Sequence, residues 1–166
     1  IKVRPEANGI ITEGSIGGNW VISIHRHIDS SGKSTIWAGT NSTGEPGERP
    51  SISFSDDDGA TWKVTGQTFA WDFALTKNYT WATTNSGLIR RSLQSDQWEQ
   101  VDLSNGMTFV GIETIVIQGE ETLWAGSENG LSATINEGDS WSIIRDLVTT
   151  ASIDANLFVN ESGVRD

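Results

Sequence analysis

The sequence S-D-D-D-G-A-T-W at residues 55 to 62 decides the fold, because it contains every residue that a tight hairpin turn needs. A strand ends at Ser55, and the side chain of Asp57 can accept hydrogen bonds from backbone amides of the turn. Gly59 supplies a positive φ, and Thr61 and Trp62 begin the returning strand. The stretch therefore predicts a β-hairpin whose turn is held together by its own side chains.

The same frame returns at residues 134 to 141 as T-I-N-E-G-D-S-W. The residues at the equivalent positions are Thr134, Asn136, Gly138, Ser140 and Trp141. Asparagine and serine make the same short-range bonds to the backbone as aspartate and threonine do. Two turns in one frame therefore indicate an internal repeat.

A second motif sets the period of this repeat. Tryptophans at positions 37, 81 and 124 are each followed by alanine in a strand-like segment. These tryptophans are 44 and 43 residues apart. A small turn also precedes Trp20, Trp98 and Trp141 by 12 residues each, which predicts that these three are equivalent. A period of 40 to 45 residues built from short strands and turns is typical of β-propeller blades.

The repeat predicts an all-β chain, with residues 1–166 forming one partial β-propeller of about four blades. Each blade is expected to be a four-stranded antiparallel sheet. The expected divisions are 1–23 as the end of a blade, 24–66, 67–104 and 105–146 as three blades, and 147–166 as the start of a further one. At the end of the first division, residues 20 to 24 are expected to form a strand of their own, followed by an inner strand at residues 24 to 28. Residues 42 to 50 are an insertion between the second and third strands of the 24–66 blade.

Composition narrows the classes of partner. The chain has 22 acidic and 11 basic residues and a net charge of −11, which disfavours nucleic acid and anionic membrane surfaces. It has no cysteine, so disulfides and thiolate metal sites are excluded. No apolar run approaches the ~18 residues of a membrane span, so no membrane insertion is expected. The absence of an initiator methionine favours a mature form or a piece of a longer chain.

The box at residues 55 to 62, the W-A-G-T strand before it and the period together resemble the Asp-box, or BNR, repeat propellers. That group includes sialidases, xyloglucan-cleaving glycoside hydrolases, sortilin-family receptors and photosystem II assembly-factor-like proteins. The resemblance covers about residues 8 to 146, and the full box is matched only once. It implies that the box is a structural turn between the third and fourth strands of a blade. A fold of this kind does not by itself imply a function.

Two groups of residues raise the question of a metal. Residues 56 to 59 are rich in aspartate but lack the alternating ligands and the final glutamate of an EF-hand loop. His25 and His27 would share one face of a strand, yet the chain has no third histidine and no cysteine. We therefore predict no metal and no cofactor.

Carboxylates on the inner strands suggest an enzymatic alternative. Aligning residues 69 to 72 with 109 to 113 places Asp72 and Glu113 near equivalent positions, with His25 as a loose third. Paired carboxylates at a concave mouth are what glycoside hydrolysis requires, although a solvated channel wall explains them as well. The resemblance to sialidases would require a tyrosine nucleophile, but the only tyrosine, Tyr79, is expected in a second strand beside a tryptophan. Sialidase chemistry is therefore disfavoured.

The alternation of strand direction predicts where a ligand would bind. Turns between third and fourth strands lie on one face, and the insertion and the entries to the inner strands lie on the other. The residues expected on this second face are Trp71, Asp72, Phe109, Glu113, Glu45 and Arg49. The sequence thus predicts a non-catalytic, extracytoplasmic binding or scaffold module that recognises a carbohydrate or protein on the face opposite the Asp-box turns. The alternative is a fragment of an Asp-box glycoside hydrolase. Further expected partners are missing blades of the same longer chain or a second copy.

Overall fold

The computed structural model describes residues 14–29, 31–103 and 108–144, and this part of the protein is all-β. Its strands are β1 (Trp20–Ile28), β2 (Ser34–Asn41), β3 (Ser51–Ser55), β4 (Lys63–Gly66), β5 (Asp72–Leu75), β6 (Tyr79–Thr84), β7 (Gly87–Ser92), β8 (Trp98–Gln100), β9 (Phe109–Ile117), β10 (Glu120–Ser127), β11 (Gly130–Thr134) and β12 (Ser142–Ile144). Within the same ranges, no helix is long and apolar enough to cross a membrane.

The strands form three four-stranded antiparallel sheets, each in chain order. The first sheet holds β1 to β4, the second β5 to β8 and the third β9 to β12. The expectation of four-stranded antiparallel sheets is thereby confirmed. The third strand, β3, follows the insertion and ends at Ser55, as the sequence predicts.

One predicted strand and one predicted division are wrong. β1 is continuous from Trp20 to Ile28, so residues 20 to 24 are not a separate strand, and the division between 23 and 24 falls inside β1. The physical reason is that β1 pairs with β2 along its whole length, from Trp20 opposite Asn41 onwards, with a bulge near Val21. Trp20 therefore is not equivalent to the tryptophan of a fourth strand. The strands predicted within residues 1–13 and beyond 144 lie outside the described residues.

Tryptophan pairs join consecutive sheets. β5 packs against both β1 and β9, so the first strands of the three sheets are neighbours. Between the first and second sheets, Trp98 meets Trp37 edge-on with ring centroids 5.9 Å apart. Between the second and third sheets, Trp141 meets Trp81 in the same way at 6.0 Å. The repeated tryptophans therefore occupy repeated places at two successive junctions.

The ends of the strands define two faces of the molecule. Connections from first to second and from third to fourth strands lie at one end of each sheet, which we call the turn face. Connections from second to third strands, and the entries into β1, β5 and β9, lie at the other end, which we call the loop face. The insertion at residues 42 to 50 joins β2 to β3 and therefore belongs to the loop face.

The turn between β3 and β4 is held by the carboxylate of Asp57. Its Oδ1 accepts hydrogen bonds from the Ser55 hydroxyl at 2.7 Å and the Thr61 amide at 2.8 Å, and its Oδ2 accepts one from the Thr61 hydroxyl at 2.6 Å. The Ser55 Oγ in turn accepts the Gly59 amide at 2.8 Å. Hydrogen bonds from the Thr61 hydroxyl and amide and from Ser55 lower the pKa of Asp57 to about 2. The carboxylate therefore stays ionised and bonded well below neutral pH.

Candidate functional site

The loop face carries exposed apolar side chains where the first strand of each sheet begins. Trp20 is 56% exposed, Trp71 is 37% exposed and Val110 is 56% exposed. We call these three residues the rim. Large apolar side chains left in water at one place commonly mark an interaction site.

The indole of Trp71 is held in place from two sides. Its Nε1 donates a hydrogen bond to Asn85 Oδ1 at 3.0 Å, and its ring meets that of Phe69 edge-on with centroids 4.9 Å apart. Its backbone amide donates to the Thr83 carbonyl at 2.8 Å. The ring is therefore oriented in advance, which reduces the ordering cost of binding a ligand.

The insertion is tied to the start of β1, beside Trp20. Glu48 Oε1 accepts the Asn19 backbone amide at 3.1 Å and also the side-chain amide of that residue. Glu48 Oε2 accepts the Thr43 amide at 2.5 Å and the Thr43 hydroxyl at 2.8 Å. Burial acts to raise the pKa of Glu48, but the hydrogen bonds from Thr43 and Asn19 outweigh it and the pKa is lowered. One carboxylate thus fastens the insertion next to the rim.

A second bond connects Trp20 to the neighbourhood of Trp71. The Ser23 hydroxyl, three residues after Trp20, donates to the carbonyl oxygen of Ala70 at 2.8 Å. Ala70 is buried and directly precedes Trp71. The insertion is thus bonded to the residue before β1, and β1 is bonded to the residue before Trp71.

The carboxylate of Asp72 accepts hydrogen bonds from backbone amides of two strands. Its Oδ1 accepts the amide of Phe73 at 2.9 Å, and its Oδ2 accepts the amide of Ile112 at 3.1 Å. The carboxylate therefore ties β5 to β9 across the junction between the second and third sheets. A nearby bond from the Thr114 hydroxyl to the Leu75 carbonyl, at 2.9 Å, joins the same two strands.

The predicted equivalence of Asp72 and Glu113 is wrong by two residues. Glu113 lies opposite Trp124, and the residue opposite the corresponding Trp81 is Ala74. In the first sheet the residue opposite Trp37 is His25, so the looser match of Glu113 with His25 is the correct one. The error arose because cross-strand pairing, which sets this register, is not visible in a single strand's sequence.

Phe109 does not belong to the rim. It is 2% exposed and lies in the core cluster with Trp81 and Leu88. A register shift between Gly126 and Ser127 interrupts the ladder where β9 begins, and Val110 is the residue exposed there instead. The structure therefore replaces the predicted Phe109 with Val110.

The residues predicted in the insertion lie on its surface. Glu45 and Arg49 are both exposed, and the Arg49 backbone amide donates to the Gly17 carbonyl at 3.1 Å. Sequence reasoning missed Glu48, which makes the contacts that hold the loop, because no motif distinguishes it from Glu45. It also missed Trp20, whose 12-residue interval from an earlier turn suggested a fourth strand.

A cleft of about 440 Å³ lies on the turn face, between the β5–β6, β9–β10 and β11–β12 connections. Two acidic side chains of the cleft already accept hydrogen bonds from backbone amides: Glu121 from Lys77 at 3.0 Å, and Glu137 from Asn78 at 2.9 Å.

In the described ranges, no group of three histidine, aspartate or glutamate side chains is arranged to hold a metal. His25 and His27 are half-buried on β1.

Comparison with known proteins relates the chain by fold. No family model matches it, and no curated protein matches it. The extracellular domain of BT4673 from B. thetaiotaomicron, named there as a one component system, is similar with a TM-score of 0.50 and 20% identity over 75% of this chain. A second structure, named as the extracellular domain of the hybrid two component system BT4673, has the same score and identity. This chain spans 16% and 15% of those two chains, so the likeness covers a small part of each.

Proposed function

We propose that this chain is part of an Asp-box β-propeller that binds a carbohydrate or protein ligand on its loop face and catalyses no reaction. The propeller arrangement is supported by the three successive four-stranded sheets and by the neighbouring first strands β1, β5 and β9. It is further supported by the edge-to-face tryptophan pairs that repeat at both junctions. In this proposal each sheet is one blade.

The observation that carries the binding role is the oriented, exposed indole of Trp71 on the loop face, the face to which the insertion also belongs. Tryptophan is among the residues that contribute most to binding energy, because it offers a large flat surface at low entropic cost. Asn85 and Phe69 fix the ring while leaving 37% of the residue exposed. Glu48 fixes the adjacent loop. The rim is therefore an exposed apolar surface with two tryptophans, and its Trp71 is already held in orientation.

The non-catalytic part of the proposal rests on the carboxylates. Both oxygens of Asp72 already accept backbone amides, and Glu113 Oε1 accepts the amide of Thr114 at 3.0 Å. Their strand positions are offset by two residues, so the alignment that suggested the hydrolase alternative is not supported by the strand register. Incubation with polysaccharides followed by reducing-end analysis tests that alternative directly, and release of new reducing ends would favour it.

We place the module outside the cytoplasm, as a secreted, periplasmic or cell-surface part. The similar solved structures are extracellular domains, which supports this location. The chain has no cysteine, so its stability outside the cell would rest on packing and hydrogen bonds rather than disulfides.

The binding proposal is tested by titrating the protein with a panel of soluble polysaccharides and following heat release. We expect Trp71→Ala to weaken binding at least about tenfold, which corresponds to about 1.4 kcal/mol. Ile135→Ala is the matched control, because Ile135 is an exposed apolar residue on the turn face. Equal effects of the two substitutions, or binding that Trp71→Ala leaves unchanged, would contradict the loop-face site.

A further inference from the structure

The cross-strand pairs identify one position that recurs in the first strand of all three sheets. Ile24, Phe73 and Ile112 each lie opposite an alanine of the neighbouring second strand. These alanines are Ala38, Ala82 and Ala125. Paired residues share a face of the sheet, so Ile24, Phe73 and Ile112 point to the same side of their respective sheets. For Phe73 and Ile112, that side faces the preceding sheet.

The three residues differ sharply in burial. Phe73 is 1% exposed and packs on Trp37 of the first sheet with ring centroids 6.1 Å apart. Ile112 is 5% exposed and lies in one cluster with Trp81 of the second sheet. Ile24 is 68% exposed. Ile24 therefore occupies the position from which Phe73 and Ile112 contact a tryptophan of the preceding sheet. In the first sheet, however, this position is exposed to solvent.

Other apolar residues extend this exposed surface along β1. Val21 and Ile28 lie opposite Thr40 and Ser34, on the same side as Ile24, and both are exposed. We call Val21, Ile24 and Ile28 the leading face. Three branched apolar side chains on one strand form a surface that would be stabilised by being covered.

The third sheet carries the matching surface at the other end of the described chain. Trp124 lies opposite Glu113 and occupies the place of Trp37 and Trp81, yet it is only half-buried and belongs to none of the buried clusters within the described part. Ile115 lies on the same side and is exposed. We call Glu113, Ile115 and Trp124 the trailing face. At both internal junctions a face of this kind is covered by the next sheet.

Charge also matches between the two faces. Arg26 lies opposite Ile36 and so projects from the same side as the leading face, and its side chain is 59% exposed. Glu113 on the trailing face is exposed. Arg26 also lies 4.0 Å from Asp58 of its own chain, but both of these side chains are largely exposed, so the cation can still approach a carboxylate on the other copy. Such a pair favours an encounter in one orientation.

We propose that two copies of this chain associate head to tail, the leading face of one packing on the trailing face of the other. Ile24 then covers Trp124 as Phe73 covers Trp37, and Arg26 approaches Glu113. Such a contact is heterologous, because different surfaces of the two copies meet, and it leaves one free face on each copy to which further copies can add. The rim lies at the ends of the strands and is not part of this contact.

Two glutamate substitutions test the contact by removing one face at a time. Ile24→Glu disables the leading face and Ile115→Glu the trailing face, and both residues are exposed, so each variant should fold. Leu93→Glu is the control, because Leu93 is an exposed apolar residue on neither face. Mass is measured by light scattering after size-exclusion chromatography across a range of concentrations, and tryptophan fluorescence verifies folding.

The wild type and Leu93→Glu are expected to gain mass with concentration, whereas Ile24→Glu and Ile115→Glu alone stay monomeric. An equimolar mixture of the two variants retains one intact leading face and one intact trailing face, so it should form a dimer and nothing larger. We expect each single substitution to raise the dissociation constant at least about tenfold. A monomeric wild type, association unaffected by Ile24→Glu, or a mixture that stays monomeric would each overturn the proposal. Ile28→Glu replaces Ile24→Glu if the latter fails to fold.

Discussion

The turns at residues 55 to 62 and 134 to 141 share one internal structure. In the second turn, Asn136 Oδ1 accepts the Thr134 hydroxyl at 2.9 Å and the Ser140 amide at 3.0 Å, as Asp57 Oδ1 does with its partners. The backbone agrees as well, with φ of 57° at Asp58 and 53° at Glu137. One bond is reversed: the Asn136 amide donates to Ser140 Oγ at 2.9 Å, whereas Asp57 accepts from a hydroxyl. The turn therefore tolerates either polarity at that bond.

The two turns differ in what they contact outside themselves. The Glu137 carboxylate accepts hydrogen bonds from both the backbone and the side-chain amide of Asn78, at 2.9 and 2.6 Å. The backbone carbonyl of Glu137 accepts one from Arg90 Nη1 at 2.6 Å. Asp58, at the same place in the first turn, is 4.0 Å from Arg26 with both side chains largely exposed. The box residues thus build the turn. Contacts from Glu137 then fasten the second turn to the preceding sheet, whereas the first sheet has no preceding sheet among the described residues.

Removing the aromatic support beneath the second turn should have the largest effect. Trp81 is fully buried, meets Trp141 edge-on and would lie within 2.8 Å of a Cβ added at Gly138. We expect Trp81→Ala to cost about 3 to 5 kcal/mol, from lost burial and the cavity left behind. Urea unfolding followed by circular dichroism measures this loss. Exposed Trp20→Ala should stay within about 0.5 kcal/mol, and comparable losses at both positions would contradict the assignment of Trp81 to the core.

Replacing the residue before the glycine should separate the two turns. Glu137 and Asp58 both have positive φ, so alanine has to adopt the same strained conformation at either position. Glu137→Ala also removes the two bonds to Asn78, and we expect it to cost about 1 kcal/mol more than Asp58→Ala, after allowance for solvent screening. Paired urea midpoints provide the measurement. If Asp58→Ala proves equally costly, the outer contacts of Glu137 contribute nothing.

Acid should affect the central side chain of the first turn alone, because Asp57 is a carboxylate and the equivalent Asn136 is an amide. The pKa of Asp57 is about 2 in the folded protein against an ordinary value of 3.8, so its stabilisation is complete above about pH 4 and is lost as the pH falls towards 2. Asp57→Asn should flatten the fall in stability over this window, and Asn136→Asp should steepen it by adding a second such carboxylate. Thermal melts between pH 2 and 5 test both variants. Unchanged acid sensitivity in Asp57→Asn would show that other carboxylates dominate.

Local patterns were sufficient where the decisive contacts lie within a few residues. The turn bonds of Asp57 span four residues at most, and β3 ends where the box begins, so both could be read directly. The position of Trp20 could not, because its assignment to β1 depends on pairing with Asn41, 21 positions further along. The roles of Asp72 and Phe109 likewise depend on residues of other strands, Ile112 and Trp81.

The sequence by itself determined the all-β class, the repeat of four strands and the chemistry of the box turns, because period and turn residues act through neighbours in the chain. Only the tertiary structure decided which aromatic residues reach water and which carboxylates are already engaged. Trp71 is exposed and Phe109 buried although both lie at the start of a first strand, and Glu48 rather than Glu45 fastens the insertion to Asn19. These outcomes follow from the register of the strands and the packing of one sheet on the next, which bring together residues that are far apart in sequence.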